Sequence, residues 1–241
     1  MSRVLVTGGN GFIGKEVCRL AVERGHEVVS VSRSGRPGFG DAKSKSNSDS
    51  NAEPAWATQV RWVSASVFEP RRWRGYLEGC TGVVHSIGAI DDTPKEGIVL
   101  ERINGDAAIL AGLEAERAGV RSFSFVSAST TPPDAREAYL TAKRRAEREL
   151  VDLDLSVARL RPGPVYGEDE PNPHFSRVTN RLLRELGERE RIARRFGDVR
   201  PLPLERVAGV ALETALDPER EGLYDVSVIG GARLVPIETE A

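Results

Sequence analysis

Cysteine, histidine and methionine are scarce in this sequence. Among 241 residues there are two cysteines, three histidines and one methionine. Cys18 and Cys80 do not form a C-x-x-C pair and the histidines are not clustered, so we expect neither a disulfide framework nor a metal site. This cysteine usage is typical of a reducing compartment, and we predict a cytoplasmic protein.

Long apolar runs and an excess of one charge are also missing. No apolar run approaches the ~20 residues that span a bilayer, and because a strand pattern begins almost at once we expect no signal peptide. The formal net charge is −2 and the pI is about 6.0, so bulk charge gives no reason to expect a nucleic-acid partner. With 39% hydrophobic and 29% charged residues, the composition is that of a globular protein.

A regular alternation of strand and helix patterns is present. "RVLVT" at the start is followed by glycines, a helical pattern over 15–25 and a second strand pattern over 26–32. Further strand patterns occupy 60–67, 82–88, 122–129 and 155–163, and helical patterns occupy 103–118 and 138–152. Strand–helix–strand units imply parallel strands. The order predicts an α/β fold, a Rossmann doubly wound parallel sheet, over residues 1–165.

Two regions depart from this alternation. Residues 34–54 are rich in Gly, Ser, Asn and Lys without apolar periodicity, which predicts a flexible surface loop. From residue 166 the sequence becomes Pro-rich and then Arg-rich. We therefore expect residues 166–241 to form a small C-terminal lobe over the carboxyl edge of the sheet. This lobe is expected to bind a substrate or partner.

The first strand ends in a glycine loop, "VTGGNGFIG". It matches G-x-G-x-x-G and also the looser G-x-x-G-x-x-G. Because the loop joins a strand to a helix, its backbone N–H groups and the helix N-terminus can face a pyrophosphate. A glycine-rich turn without a ligand is the alternative. The predicted dinucleotide-binding residues of the loop are Gly8, Gly9, Asn10, Gly11, Phe12, Ile13 and Gly14.

The second strand ends without an acidic residue. Sites that prefer NAD usually place Asp or Glu there to accept a hydrogen bond from the ribose 2′-hydroxyl. Here Ser32, Arg33 and Ser34 occupy these positions, with Arg36 nearby. A guanidinium and hydroxyl groups suit a 2′-phosphate, so we predict NADP(H) as the preferred cofactor and NAD(H) as the second choice. The alternative is that Arg33 is an ordinary solvated residue.

The chain resembles the short-chain dehydrogenase/reductase superfamily in its extended or atypical, epimerase/dehydratase-like branch. The stretches that carry the resemblance are "VTGGNGFIG", "VVHSIGA", "RINGDAAILAG", "FVSAS", "YLTAK" and "LRPGPVYG", in the expected order across most of the chain. "SVSRSGRP" and "YLTAKRRAEREL" are most similar to one group within it. That group contains the NADPH-binding accessory subunit of respiratory complex I and a coenzyme Q biosynthesis accessory protein.

The resemblance implies a catalytic Tyr-x-x-x-Lys pair, Tyr139 and Lys143. Residues four apart lie on one face of a helix. A lysine ammonium lowers the pKa of a neighbouring phenol, and in the family this lysine also anchors the nicotinamide ribose. The tyrosine can then exchange a proton with a carbonyl or alcohol while hydride moves to or from the cofactor. A chance pair on an exposed helix is the alternative.

A third catalytic member is expected at the end of the fifth strand, where the family places Ser or Thr. Ser127 is preferred because it falls on the predicted strand, and Ser129 and Thr130 are the fallbacks. Alignment puts Ala128 at the usual position. Each hydroxyl taken alone is equally typical of a strand end or turn.

The resemblance also implies further cofactor contacts. Asn104 matches a structural asparagine, or is simply a polar helix position. Ser66 lies where relatives often have an Asp that contacts the adenine amine, and His85 is expected to be a packed core residue. The remaining implied cofactor contacts are Ile87, Gly88, Ala89, Arg161 and Pro162.

The segment 177–200 combines eight arginines with four acidic residues. Leu182, Leu183, Leu186 and Ile192 are interspersed among them. One interpretation is a solvated helix with salt bridges. The other is a basic amphipathic surface that touches anionic lipid, which would make the protein peripheral at a membrane.

Together these features predict an NADP(H)-dependent oxidoreductase that acts on a small carbonyl, alcohol or quinone-related compound. A sugar-nucleotide epimerase or dehydratase is one alternative, opposed by the small size of the predicted lobe. A non-catalytic NADPH-binding accessory or assembly protein is the other.

Overall fold

A parallel β-sheet forms the centre of the computed structural model, which describes residues 1–38, 53–90, 99–131 and 137–231. The strands are β1 (Arg3–Thr7), β2 (Glu27–Ser32), β3 (Val60–Ser64), β4 (Gly82–His85), β5 (Ser122–Val126), β6 (Ser156–Leu160), β7 (Val165–Tyr166), β8 (Leu202–Pro203) and β9 (Gly222–Tyr224). Seven of them form one sheet in the order β3-β2-β1-β4-β5-β6-β9, and all its pairings are parallel. This order confirms the predicted Rossmann fold, whose ligands bind beyond the carboxyl ends of the strands where the order reverses.

Helices cover both faces of the sheet. They are α1 (Phe12–Glu23), α2 (Ala55–Thr58), α3 (Ala107–Arg117), α4 (Glu137–Val151), α5 (Arg177–Glu188), α6 (Glu190–Ala193), α7 (Leu204–Leu216) and α8 (Val226–Gly231). A five-residue π-helix, Arg102–Asp106, leads into α3. One buried cluster joins α1 and α7 to the sheet, and a second joins α3 and α4 to its other face. The buried strand residues are mostly apolar, as expected for a sheet covered on both faces.

The strands end sooner than the sequence patterns predict. β3, β4, β5 and β6 end at residues 64, 85, 126 and 160 rather than at 67, 88, 129 and 163. Single backbone hydrogen bonds continue past these ends, as from Ser127 N to Leu160 O at 2.7 Å, but the regular ladder does not. Helix α1 begins at Phe12 rather than at 15, because Gly11 is extended and caps the helix.

The predicted lobe, 166–241, is only partly separate from the Rossmann layer. Strand β9 pairs with β6 at the sheet edge, with Tyr224 opposite Leu160, and α7 packs on the sheet, where Thr214 Oγ1 donates to Ser124 Oγ at 3.0 Å. What remains for a lobe is mainly the β7–β8 pair with α5 and α6. Residues 39–52 of the predicted loop and 232–241 of the predicted lobe lie outside the described residues.

Two negative findings apply to this described part of the chain. Its helices are all too short or too polar to cross a bilayer. Its acidic, cysteine and histidine side chains also form no group of three or more that could hold a metal ion.

Candidate active site

The glycine loop between β1 and α1 forms a tight turn against the sheet. Gly8 has φ +85°, which favours glycine, and its N–H donates to Val31 O at 2.8 Å. A Cβ on Gly14 would collide with Gly8 O and Ser86 Oγ. Gly11 caps α1 without any side-chain hydrogen bond, so the first-turn amides are left for an anion. The loop therefore fits a pyrophosphate.

An elongated cleft of about 660 Å³ opens beside this loop. Several predicted cofactor residues line it: Gly8, Asn10, Gly11, Ser32, Arg33, Ser34, Ser66, Ile87, Gly88 and Ala89. Others were not predicted: Val31, Ala65, Val67, Phe68, Ser86, Ile90, Arg102, Ile103 and His174. Most of the second group flank predicted residues in the sequence, as Val31 flanks Ser32 and Ser86 flanks Ile87, whereas His174 has no predicted neighbour and reaches the cleft through long-range packing.

Other predicted cofactor residues do not line this cleft. They are Gly9, Phe12, Ile13, Gly14, Asn104, Lys143, Arg161 and Pro162. Phe12 instead lines a neighbouring cleft of about 500 Å³ between α1 and the 167–170 turn. The predicted residues thus divide into those that line the cleft and those that do not.

The end of β2 lies next to the glycine loop. Asn10 Nδ2 donates to Ser34 Oγ at 2.7 Å, and Ser32 Oγ donates to Gly35 O at 2.8 Å. Arg33 is exposed at the cleft, whereas Arg36 pairs with Glu53. Arg33 and Ser34 are therefore the polar side chains of this strand end that are best placed for a ligand.

Asn104 holds the loop that follows β4. It is buried, and its Nδ2 donates to Ala89 O at 2.8 Å and to Leu100 O at 3.1 Å. Its Oδ1 accepts from Ala89 N at 3.2 Å. A Cβ on Gly88 would lie 3.2 Å from Asn104 Oδ1 and 3.6 Å from Lys143 Nζ. Asn104 thus fixes the loop that connects the cleft to the predicted catalytic pair.

Tyr139 and Lys143 lie together on the buried face of α4. Lys143 Nζ lies 5.5 Å from the centroid of the Tyr139 ring and donates to Val126 O at 2.9 Å. Burial lowers the pKa of Lys143 to about 7, with Glu147 opposing this shift and Arg144 adding to it. Burial raises the pKa of Tyr139, with the charge of Arg144 opposing it. The predicted lowering of the phenol pKa is therefore not seen, because burial outweighs the nearby positive charge.

Ser127 follows β5 and hydrogen-bonds to a buried carboxylate. Its Oγ donates to Glu147 Oε1 at 2.5 Å. Arg144 donates to the same oxygen at 2.6 Å, and Arg161 Nε donates to Glu147 at 3.1 Å. Burial alone would raise the pKa of Glu147, but the hydrogen bonds from Arg161 and Ser127 and the arginine charges outweigh it and lower this pKa. The role of Ser127 as a substrate donor stays a prediction, and it requires this hydrogen bond to be exchanged.

Glu147 was not singled out in the sequence, although it lies one helical turn after Lys143 and so on the same face. The hydrogen bond from Arg161 to Glu147 shows that the Arg161 side chain points toward α4. The fallback Ser129 donates to Asp198 O at 2.5 Å.

His85 is packed in the core, as predicted. Its Nδ1 lies 2.8 Å from Thr7 Oγ1, and its ring stacks on Phe123. Burial lowers the pKa of His85 to about 3, and Lys143 adds to this. The imidazole is therefore neutral.

Known proteins resemble this chain in sequence and in fold. The model of the NAD dependent epimerase/dehydratase family matches residues 4–202. The uncharacterized chloroplast protein At1g32220 of Arabidopsis thaliana is 38% identical over 174 residues, covering 70% of this chain and 53% of that protein. This chain therefore spans about half the length of that relative. MIOREX complex component 2 of Saccharomyces cerevisiae is 28% identical over 211 residues, covering 69% of this chain and 73% of that protein.

Solved structures share the fold at lower identity. A putative NAD-dependent epimerase/dehydratase of Bacillus halodurans has a TM-score of 0.60 at 24% identity, covering 93% of this chain and 92% of that chain. MoeE5 in complex with UDP-glucose and NAD has a TM-score of 0.62 at 21% identity, covering 92% of this chain and 74% of that chain.

The family match includes the glycine loop, Tyr139 and Lys143. It supports a nicotinamide dinucleotide as the cofactor and an NAD(P)-dependent, oxidoreductase- or epimerase-like function. The chain belongs to the NAD dependent epimerase/dehydratase family.

Proposed function

We propose that the protein binds NADP(H) and exchanges hydride between it and a small carbonyl or alcohol compound, with quinones as the first class to examine. One observation carries the proposal. Lys143 lies behind the cleft-lining loop at Gly88, where a Cβ would be 3.6 Å from its Nζ, and the Tyr139 ring centroid is 5.5 Å from the same nitrogen. The predicted proton-transfer pair and the cleft thus share one wall.

Each part of the site has a chemical task under this proposal. The glycine loop and the start of α1 bind the pyrophosphate through backbone amides. Bound NADP(H) supplies or accepts the hydride. Tyr139 keeps its proton, because burial raises its pKa, and can donate that proton to a carbonyl oxygen. Lys143 anchors the ribose, and the carboxylate of Glu147 helps it to stay charged.

The preference for NADP(H) rests on the end of β2. Arg33 and Ser34 line the cleft, and a guanidinium there attracts a 2′-phosphate. We expect NADPH to bind about tenfold more tightly than NADH, as one charge-assisted hydrogen bond would give. Titration followed by nicotinamide fluorescence measures the dissociation constants of NADPH and NADH. Arg33→Ala should remove the difference, whereas Arg36→Ala, at a residue paired with Glu53, should keep it. NADH binding at least as tightly as NADPH to the wild type would contradict the preference.

Turnover is tested with NADPH and a panel of quinones and aldehydes. We expect Tyr139→Phe to lower kcat by at least about 100-fold, the usual contribution of a general acid, while NADPH affinity is retained. Tyr76→Phe is the matched control, since the Tyr76 ring packs under Arg61, whereas the Tyr139 ring lies beside Lys143. Equal turnover by the wild type and Tyr139→Phe would exclude the assigned role.

A second candidate is a cofactor-binding protein without turnover. It is favoured by the hydrogen bonds of Lys143 to Val126 O and of Ser127 to Glu147, which occupy two of the predicted catalytic groups internally. Tight NADPH binding with no turnover of any compound in the panel would favour this candidate.

A sugar-nucleotide epimerase or dehydratase is the third candidate, and the family assignment is the observation in its favour. The small region left outside the sheet by α7 and β9 argues against an elaborate sugar-nucleotide pocket. Conversion of a UDP-sugar without net consumption of the cofactor would identify this activity.

A further inference from the structure

The described residues that line the end of the cleft next to β3 carry no carboxylate. Among the described residues that line the cleft, Arg33 and Arg102 are the permanently charged ones, and none is Asp or Glu. Ser66 occupies the position where the resemblance led us to expect an acid for an adenine amine. Ser66 Oγ accepts from Phe68 N at 3.3 Å, which leaves its hydroxyl proton free to be donated. The described side chains at this end of the cleft therefore include a guanidinium and a hydroxyl that can donate hydrogen bonds, and no carboxylate.

Arg102 is held over this end by two contacts of different kinds. Its guanidinium carbon lies 4.3 Å from the centroid of the Phe68 ring, a cation–π contact. Its backbone belongs to the π-helix that contains Asn104, and Asn104 is tied to the loop after β4 by its bonds with Ala89. The planar guanidinium is thus presented to the cleft from a fixed backbone.

We propose that Arg102, supported by Phe68, selects the purine base of the dinucleotide by donating hydrogen bonds to it. This inference rests on the proposed dinucleotide function and adds a specificity residue to it. Arginine forms bidentate bonds with a purine that presents a 6-oxo group and N7, whereas a 6-amino group is itself a donor. A hypoxanthine dinucleotide, which has the 6-oxo group, should therefore be accepted at least as well as the adenine form.

The test compares NADH with reduced nicotinamide hypoxanthine dinucleotide, both followed by nicotinamide fluorescence. We expect the wild type to bind the hypoxanthine form at least as tightly. Arg102→Ala should weaken the hypoxanthine form about tenfold and the adenine form less, since about one charge-assisted bond is lost. Arg61→Ala is the matched control, because Arg61 lies 4.7 Å over the Tyr76 ring outside the cleft lining. Thermal melting checks that each variant is folded.

The outcomes are distinct. A wild type that binds the hypoxanthine form tenfold more weakly than NADH would overturn the proposal, as would equal losses for both bases in Arg102→Ala. A fall in the ratio of NADPH to NADH affinity in Arg102→Ala would show that Arg102 contacts the 2′-phosphate rather than the base. This result would also overturn the proposal. Absence of binding by NADPH, NADH and the hypoxanthine form would overturn the dinucleotide function itself.

A different observation carries a second proposal. No residue of α5 is buried, and Val178 and Leu182 are 78% and 53% exposed. Three further large apolar side chains after α5, Ile192, Phe196 and Val199, are also exposed. These five apolar residues lie within the segment 177–200, which carries eight arginines against four acids, although the whole chain has a net charge of −2.

We infer that the segment 177–200 contacts the surface of an anionic lipid bilayer. Exposed apolar side chains among arginines are the composition of an interfacial helix, in which the apolar groups enter the headgroup boundary and the cations attract anionic lipid. Because the segment has an excess of positive charge, an anionic bilayer is a better match for it than a neutral one.

Co-sedimentation with vesicles of phosphatidylcholine, with and without phosphatidylglycerol, tests it. We expect at least about fivefold more binding to the anionic vesicles, because each arginine near the surface contributes, and a loss of binding in 0.5 M NaCl by screening (roughly a 3–10 Å Debye length). Val178→Ser/Leu182→Ser should lose binding, and Val151→Ser, at an exposed valine on α4, should keep it. Binding independent of phosphatidylglycerol would overturn the proposal. So would a dimer that the double variant disrupts, since the surface would then belong to a second copy.

Discussion

The two halves of the candidate site differ in how far the protein satisfies its own polar groups. In the half formed by the glycine loop and the end of β2, first-turn amides of α1 lack a side-chain cap and Arg33 faces the cleft. In the half formed by β5 and α4, Lys143 donates to Val126 O, and Ser127 donates to Glu147. The first half offers donors to a ligand, whereas in the second Ser127 must exchange its hydrogen bond with Glu147 before it can donate to one. If the site works as proposed, binding and turnover should therefore respond to different substitutions.

The largest expected effect is on cofactor binding by the half formed by the glycine loop and the end of β2, called here the open half; the half formed by β5 and α4 is the closed half. Gly14→Val places a side chain against Gly8 O and Ser86 Oγ, so the loop must move and its amides lose their alignment. We expect no measurable NADPH binding by fluorescence titration. Gly75→Ala is the control, since a Cβ there meets nothing within 4 Å. Wild-type affinity in Gly14→Val would show that the loop does not bind the cofactor.

The glycine loop could be predicted because its chemistry is local, and the same holds for the strands. Val4, Leu5 and Val6 form one apolar run and are all fully buried. The edge strand β9 was missed because Gly222–Tyr224 has no such run and Leu223 is exposed. Its place in the sheet depends on β6, which is distant in sequence.

The closed half was only partly predictable for the same reason. The spacing of Tyr139 and Lys143 identifies the helix face, but the burial that raises one pKa and lowers the other comes from the surrounding fold. The contact of Ser127 with Glu147 joins residues 20 apart. Arg102 was likewise unmarked, because its cleft position depends on Phe68, which lies 34 residues earlier.

The next largest effect is a loss of stability from a substitution in the closed half, which should leave cofactor binding by the open half intact. Glu147 is buried and pairs with Arg144 and Arg161. Loss of one partner from a buried ion pair typically costs 3–5 kcal/mol, so we expect Glu147→Gln to lower the free energy of unfolding by about 3 kcal/mol. Urea denaturation measures this value. Glu149→Gln, at an exposed residue of α4, should change it by less than about 0.5 kcal/mol.

The NADPH affinity of Glu147→Gln shows whether the closed half influences binding by the open half. It should stay within about twofold of the wild type under conditions where Glu147→Gln is folded, a change well below one hydrogen bond. A large parallel loss of affinity would mean that the two halves form a single cooperative unit.

A smaller effect follows from the pKa of Lys143. Burial lowers this pKa to about 7, whereas an unfolded lysine titrates near 10.4. Between pH 7 and 9 the unfolded state holds a proton that the folded state has released, so the stability contribution rises with pH. Relative to Lys143→Met, the wild type should gain about 2 kcal/mol of unfolding free energy over this interval. A pH-independent difference between the two proteins would show that the ammonium is not desolvated.

The smallest expected effect distinguishes the two serines after β5. If Ser127 releases Glu147 and donates to the substrate during turnover, Ser127→Ala should lower kcat by about tenfold, the value of one hydrogen bond to a charged group. Ser129→Ala should change kcat little, because the Ser129 hydroxyl donates to Asp198 O rather than to Glu147. Ser127→Thr keeps the hydroxyl and should recover part of the rate. If Ser127→Ala retains full kcat while its unfolding free energy falls, the hydroxyl acts only on Glu147 and the closed half works through Tyr139 and Lys143 alone.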